Sequence, residues 1–384
     1  MVNLQHLLTQ ADACFQSGRT DEAYSFLKDA GQQGHIYAAL DFAYFTAKDN
    51  SDSAISYLNS LSNSDNSTVV YHKCLIQRFY RERAMSQATI QQLVMLAQKG
   101  HAESLIVLLS WCVDDASLFS LLQSHLAFYS PNIHKQLCQP LTDTEAKDHV
   151  LDIVLITKVI QRREQRILAG VSKSIGDDKD IKVLEDALSP FECNYMIARY
   201  HSLLEPSLVL NPIDGRPMQD TVRTSEVGVI SSNVVDWICR DIDLKMSLLS
   251  GSKVNHGEPW NLLCYQNGQH YKPHFDAFSE EQLKQKSLQE EGGQRTHTII
   301  AYLNTLHEGS TSFPKLKLEV MPEQGKLLTF TNVDDNNKLK QTSYHCGNPV
   351  VSGKKWILTK WVRSNQTEYG RLVHGSLVNK HSRM

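Results

Sequence analysis

Hydrophobic positions in the first 170 or so residues recur at three- and four-residue steps, the period of an amphipathic helix. Ala11, Cys14 and Phe15 share one such face. Ser17-Gly-Arg-Thr20 interrupts the pattern and residues 21–30 resume it. After Gly34-His35 the apolar positions Ala38, Ala39, Leu40 and Phe42 return, and after Gly100-His101 they return as Leu105, Val107 and Leu108. Residues 59–68 are polar enough for a turn, and Pro131 and Pro140 punctuate the end of the region. Residues 143–169 predict a long helix. Its Val150, Ile153, Val154, Ile156, Val159 and Ile160 would pack inward, and its Gln161-Arg-Arg-Glu-Gln-Arg166 end would be a solvated face. Residues 170–180 read as a linker.

From Ile181 the period changes. Ile181-Lys-Val-Leu alternates as a strand does. Ser189-Pro190 signals a helix start, with the helix running through Tyr195, Ile197 and Tyr200 and stopping at Leu204-Glu-Pro-Ser207. Residues 211–225 are turn-rich, and 232–249 predict a second helix covering one side of a sheet. Short strands follow at 262–265, through Tyr271-Lys-Pro-His274-Phe-Asp276, and at 295–303, 317–320, 326–331 and 355–363. Gly and Pro turns separate them, the pattern of a double-sheet barrel or jelly roll. The polar excursion over 278–293 suits a lid or a substrate-reading flap. The expected fold class is therefore α+β and multidomain. An all-α helical array covers 1–140, a long helix and linker 141–178, and a jelly-roll catalytic domain 179–384.

Composition narrows the class. The chain has 384 residues, 41% hydrophobic and 21% charged, which suits a soluble globular protein of two or three domains. A formal net charge of -3 gives no general pull toward nucleic acid or an anionic membrane. No apolar run reaches the length of a membrane span. Met1-Val-Asn-Leu-Gln-His-Leu-Leu lacks the basic leader and long apolar core of a secretory signal. The eight cysteines include no CxxC pair, so reduced thiols in a cytoplasmic setting are expected rather than a zinc site or disulfide framework.

The phrases Ala30-Gly-Gln-Gln-Gly34-His35 and Ala97-Gln-Lys-Gly100-His101-Ala102 repeat one Gly-His step. The interval from Gly34 to Gly100 is near twice the period of a helix-turn-helix repeat of about 34 residues. The region of roughly residues 5–130 resembles a degenerate tetratricopeptide or Sel1-like array. Stacked helix pairs of that kind leave a concave surface. Such a surface can hold a partner protein, mediate self-association or brace the second half.

The chemistry gathers on Tyr271-Lys-Pro-His274-Phe-Asp276. Positions i and i+2 of an extended strand point the same way, so His274 and Asp276 can face a common point. A His-x-Asp pair alone carries little, since its Asp can cap or pair locally. His345, several strands beyond Asp276, supplies a third donor. Two His and one carboxylate with open coordination positions form the facial triad of non-haem Fe(II) oxygenases. Lys355 follows His345 after a Pro/Gly turn and sits amid Trp356, Ile357 and Trp361. A buried ammonium there would pair with the distal carboxylate of a cosubstrate such as 2-oxoglutarate.

Four phrases strengthen this set: Tyr265-Gln-Asn-Gly-Gln-His-Tyr-Lys-Pro-His-Phe-Asp276, Ile300-Ala-Tyr-Leu-Asn304, Gly309-Ser-Thr-Ser-Phe-Pro314, and His345-Cys-Gly-Asn-Pro-Val-Val-Ser-Gly-Lys-Lys-Trp356. In order and spacing, residues 180–365 resemble the catalytic domain of prolyl 4-hydroxylases of the 2-oxoglutarate/Fe(II) dioxygenase superfamily. The resemblance implies a distorted double-stranded β-helix. It implies Fe(II) on His274, Asp276 and His345, and 2-oxoglutarate on Lys355 and Tyr265 with a further contact near Thr311. It places Arg295 and Trp361 close to a protein or peptide substrate, and Arg223-Thr-Ser225 at the mouth. Gly309-Ser-Thr departs from the family's usual Gly-Gly-Glu-Thr, and the region around Asn336 diverges. The implied reaction is hydroxylation of a prolyl residue with O2, releasing succinate and CO2, with ascorbate as reductant. The alternatives are the same chemistry on a small molecule, a free amino acid or a non-prolyl residue, and a non-catalytic binding module.

Overall fold

A computed structural model describes residues 3–82, 85–138, 150–169, 173–175, 178–210, 217–219 and 223–375. These fall into two compact units. The first is helical and runs to Glu164, and the segment from Leu372 belongs with it; the second is mainly Gln165–Arg371.

The helical unit contains α1 (Leu4–Gln16), α2 (Thr20–Gln32), α3 (Ile36–Ala47), α4 (Ser51–Asn59), α5 (Ser67–Ile76), α6 (Gln87–Gln98), α7 (Ala102–Trp111), α8 (Ala116–Tyr129) and α9 (Pro131–Leu137). Most of these helices open on a side-chain cap. Asn3, His35, Asn50, Asn66, Ser86, His101 and Asp115 each accept a backbone N–H of the first turn. Small residues let neighbours approach closely. A Cβ on Gly31 of α2 would lie 2.7 Å from the Ala39 Cβ of α3. Ala39, Ala43, Tyr57, Leu58, Val69 and Ile76 form one core cluster of the unit.

The long helix expected over 143–169 is α10 (Ile153–Ala169). Asp152 caps it through Val154 N and Leu155 N, which is why it starts there; residues 143–149 and Pro140 lie outside the described residues. Only part of its apolar set packs inward. Ile156, Val159 and Ile160 are buried, whereas Val154 falls off the face of that helical period and Val150 lies ahead of the helix, and both are exposed. The expected linker over 170–180 is not wholly irregular. It contains β1 (Lys173–Ser174), which pairs antiparallel with β2 (Ile181–Leu184).

The second unit continues with α11 (Pro190–Tyr200), β3 (Glu205–Pro206), β4 (Leu208–Leu210), β5 (Pro217–Gln219), β6 (Glu226–Ile230), α12 (Trp237–Ser250), β7 (Trp260–Tyr265), β8 (Tyr271–His274), α13 (Lys286–Glu290), β9 (Arg295–Tyr302), β10 (Thr311–Phe313), β11 (Leu318–Val320), β12 (Leu327–Thr331), β13 (His345–Gly347), β14 (Lys355–Arg363) and α14 (Glu368–His374). Ser189 and Glu192 form a capping box at α11, with Pro190 in its first turn. The helix expected over 232–249 begins later, where Asp236 caps α12 through Cys239 N, and ends at Gly251 in the left-handed conformation. The turn-rich stretch over 211–225 follows β4 and contains β5, which pairs with it; residues 211–216 and 220–222 are not among those described.

All strand pairs among the described residues are antiparallel. Eight strands run in the order β1-β2-β12-β9-β14-β7-β6-β3, and four more in the order β11-β10-β13-β8. Side chains from both sheets share one core. Leu263, Ile300, Tyr302, Leu328, Phe330 and Ile357 come from the larger, and Phe313 and Val320 from the smaller. No helix among the described residues is long and apolar enough to cross a membrane.

Candidate active site

Strand alternation builds the cleft. On β14, Lys355, Ile357, Thr359 and Trp361 all line it, as every second residue of a strand must share a face. From Lys355 to Trp361 that face spans roughly 20 Å, at about 3.3 Å per residue. Register sets the neighbours: Tyr265 of β7 lies opposite Lys355, and Thr298 of β9 opposite Trp361. The smaller sheet contributes Tyr271, His274, Thr311 and His345. The free space, counted out to the open mouth, is about 460 Å³.

His274, Asp276 and His345 converge, with one donor atom from each lying within 4.8 Å of the others. The reason differs in part from the expected strand pair. β8 ends at His274 and Asp276 lies in the bend that follows. What aligns the imidazoles is the pairing of β8 with β13, which sets His274 directly opposite His345 with ring centroids 4.3 Å apart. Each imidazole is turned by a carbonyl two residues back. His274 Nδ1 donates to Lys272 O at 2.7 Å, and His345 Nδ1 to Ser343 O at 2.9 Å. Both Nε2 lone pairs are thereby left for the common centre. His274 Nε2 is buried without a hydrogen-bond partner, 3.4 Å from Asp276 Oδ1. His345 Nε2 lies 3.6 Å from Asp276 Oδ2.

A buried nitrogen acceptor aimed at a buried carboxylate is unfavourable as it stands and is resolved by a divalent cation, so the donor set fits a metal. Burial pushes the Asp276 carboxyl up, but His345, His274 and the Thr298 hydroxyl outweigh it and hold it well below the usual carboxylate range. Burial drives His345 down to about 4, keeping it neutral as a ligand must be.

At the other end Lys355 is 2% exposed. Its ammonium donates to Gly309 O, and burial pulls it down to about 8, with only Cys346 opposing. Among the described residues no carboxylate pairs with it. A buried cation of this kind is suited to an incoming anion. Thr311 lines the same end, its hydroxyl accepting from Tyr302 at 2.7 Å. Burial raises Tyr265, which also lines it, far above its ordinary value and keeps the phenol a neutral donor.

The mouth differs from expectation in two respects. Trp361 and Arg223 line the cleft, but Arg295 does not. Its guanidinium forks onto Glu258, 2.7 Å to each carboxylate oxygen, and lies 3.8 Å from the Trp361 ring centroid. The carboxylate satisfies the fork and holds it away from the cleft. Nor does any residue of 278–293, the expected lid, line the cleft. Gln294 brackets its start, accepting from Phe278 N and donating to Phe278 O at 2.8 Å each, and Asn365 N donates to Gly292 O at its end.

Several supporting residues escaped the sequence reading. The Thr298 hydroxyl donates to Asp276 Oδ2 at 2.6 Å, and Asn332 Nδ2 donates to Thr298 at 3.0 Å; neither residue is exposed. A threonine inside the apolar face of β9 was the visible sign of Thr298. Tyr271 stacks on His274 with centroids 3.6 Å apart. Glu258 and Arg363 left no sign, since their meaning depends on partners remote in the chain.

The profile of the 2OG-Fe(II) oxygenase superfamily matches residues 260–363, which contain this whole constellation except Arg223 and Glu258. Probable prolyl 4-hydroxylase 10 of Arabidopsis thaliana is 30% identical over 237 residues, 55% of this chain and 80% of the relative. Probable prolyl 4-hydroxylase 6 of the same plant is 32% identical over 206 residues, 48% of this chain and 69% of the relative. The viral collagen prolyl hydroxylase of Paramecium Bursaria Chlorella virus-1, solved with 2OG, aligns over 50% of this chain and 99% of its own at 25% identity and a TM-score of 0.37. The site and the sequence relatives agree: the chain belongs to the prolyl 4-hydroxylase-like 2OG-Fe(II) oxygenases, and is a 2-oxoglutarate-dependent dioxygenase that uses Fe(II) and O2.

Proposed function

We propose that the protein hydroxylates a prolyl residue in a protein or peptide, consuming O2 and 2-oxoglutarate and releasing succinate and CO2. The observation that supports this most is a single cleft holding a buried His-Asp-His donor set and, apart from it, a buried ammonium without a carboxylate partner among the described residues. In this reading His274, Asp276 and His345 hold Fe(II). Lys355 receives the distal carboxylate of 2-oxoglutarate, and Tyr265 and Thr311 orient it. Bound Fe(II) and cosubstrate supply the O2 activation that C–H hydroxylation needs. The chain's own part is orientation and shielding. Thr298 and Asn332 fix the Asp276 carboxylate, and the carbonyls of Lys272 and Ser343 keep the imidazole protons on Nδ1. Ile300 and Ile357 exclude water from the walls, and Arg223 and Trp361 face the substrate. Ascorbate would keep the iron ferrous.

The two antiparallel sheets with a shared core support a double-stranded β-helix for this domain, proposed at 179–384. A Sel1- or tetratricopeptide-like repeat is the proposed identity of the helical array over 1–140. Its support is one turn that occurs twice, at Gly34-His35 and at Gly100-His101. Gly34 and Gly100 both have positive φ, the N–H groups of His35 and His101 reach Ala30 O and Leu96 O, and each Nδ1 accepts a first-turn N–H. The array's proposed work is to hold a partner protein or to self-associate. Eight free cysteines suit a cytoplasmic setting.

The test is incubation with Fe(II), 2-oxoglutarate and proline-containing peptides, read by peptide mass spectrometry. One added oxygen on proline is expected. Oxygen added to other residues or to free small molecules, with none on proline, would sink the prolyl assignment.

A further inference from the structure

Glu258 occupies the turn before β7, its side chain 17% exposed. Besides the Arg295 fork, it accepts from an Arg363 terminal nitrogen at 2.9 Å. Two guanidiniums thus converge on one carboxylate, and each also reaches outward. Arg295 lies over Trp361. Both lie against Phe278, 4.9 Å and 4.8 Å from its ring centroid. Arg363 also donates to Leu288 O at 3.0 Å. The backbone N–H of Glu258 donates to Trp361 O at 2.8 Å. One residue is therefore tied to Trp361 twice, through its main chain and through Arg295. It is tied to the 278–293 segment at two places, Phe278 and Leu288.

Removing that one negative charge would leave two guanidiniums side by side. Arg363, whose side chain is 3% exposed, has no solvent to turn to. The pair would separate by like-charge repulsion and carry Trp361 and Phe278 with it. None of the hydrogen bonds of these three side chains reaches His274, Asp276, His345 or Lys355.

We propose that Glu258 is a positioning residue for substrate recognition, which through Arg295 and Arg363 makes Trp361 a fixed wall at the mouth of the cleft and holds the 278–293 segment behind it. The proposal deepens the prolyl hydroxylase reading and rests on it for the nature of the substrate. It gives Arg295 an indirect role, stacking behind the aromatic surface that a proline-containing chain would meet. It also makes the 278–293 segment a fixed backing of that wall rather than a lid.

The test is Glu258→Gln in the full chain, with poly-L-proline as probe and amide hydrogen exchange as a second readout. The expected result is a KM for poly-L-proline raised about tenfold, as for loss of an interface anchor, with the KM for 2-oxoglutarate unchanged. Amides of 278–293 should exchange about tenfold faster, as in a segment that opens locally, while those of 271–276 keep wild-type rates. Arg295→Lys, which keeps the charge but loses the fork, should give smaller shifts in the same direction; it carries both readouts if Glu258→Gln does not fold. Wild-type exchange in 278–293 would overturn the wall, and faster exchange with an unchanged KM would overturn the recognition role. A wild-type enzyme that consumes 2-oxoglutarate yet hydroxylates no peptidyl proline would instead defeat the prolyl reading, and exchange would still decide the wall.

Discussion

At the inner end of the cleft, His274 and His345 are each turned by a carbonyl two residues back in the same strand or turn. At the mouth, Trp361 is held by a cluster drawn from three places: the turn before β7, the start of β9 and the end of β14. The inner arrangement is local, needing two short backbone loops and one strand pairing. The mouth depends on three charged residues remote from one another in the chain. A site built this way can keep its metal geometry while the substrate wall changes, because the two ends share few bonds. Thr298 is the exception. It donates to Asp276 and lies cross-strand from Trp361, joining the ends through the larger sheet.

The contrast can be broken most severely at the metal end. His345→Ala should reduce succinate formation to background, because two remaining donors hold iron poorly; substantial turnover would refute the ligand set. Next, Lys355→Ala should raise the 2-oxoglutarate requirement on the order of a hundredfold, the effect of about 3 kcal/mol for truncating a buried charge pair. An unchanged requirement would remove Lys355 from the cosubstrate site. Thr298→Val should weaken metal binding about tenfold, as loss of a ligand's hydrogen-bond partner does; anaerobic Co(II) titration measures this without turnover. At the mouth, Arg223→Ala should raise the peptide KM severalfold and leave the KM for 2-oxoglutarate alone. Equal shifts in both would mean that the two ends are not separable.

The smallest expected effect concerns Asp178, inside the predicted linker. It accepts from Lys340 at 2.8 Å and from Thr342 at 2.5 Å, just ahead of the Ser343 carbonyl that orients His345. Burial pushes its carboxyl up, and Lys340 and Thr342 outweigh that and hold it below the usual range. A depressed carboxylate adds stability that is complete above its unfolded pKa and is lost as pH falls through its folded one. Asp178→Asn should therefore cost about 1 kcal/mol near neutrality, the size of a partly exposed charged hydrogen bond. The deficit should vanish on acidification below the ordinary carboxylate range. A deficit that persists in acid, followed by urea denaturation, would assign the effect to packing.

Particular elements show why some features were legible in the sequence and others were not. The helices before residue 130 carry strong local signals: caps, glycine turns and a long apolar period. The same holds for α11, whose Ser-Pro start is a complete capping box. The Lys355–Trp361 face was readable because strand alternation needs no partner. Boundaries failed where one residue decided them: Asp236 starts α12 later than expected, and Asp152 starts α10 well inside the expected helix. The strand β1 failed because two residues carry no periodicity and only pairing with β2 defines them. The partner of Arg295 was hidden for a related reason. A basic residue at a strand start near the site gives no hint that Glu258, on the far side of β7 and β8, will take it.

The sequence by itself determined the donor types and the family, and singled out the Lys355 ammonium. Those depend on residue chemistry, strand periodicity and the order of short phrases along the chain. Only the tertiary structure decided that β13 would set His345 opposite His274, that Thr298 and Asn332 would hold Asp276, and that Arg295 and Arg363 would share Glu258. Each of these is a contact between residues distant in sequence. Its free energy depends on burial and geometry that arise only when the sheets have closed on their core, so no local pattern encodes it.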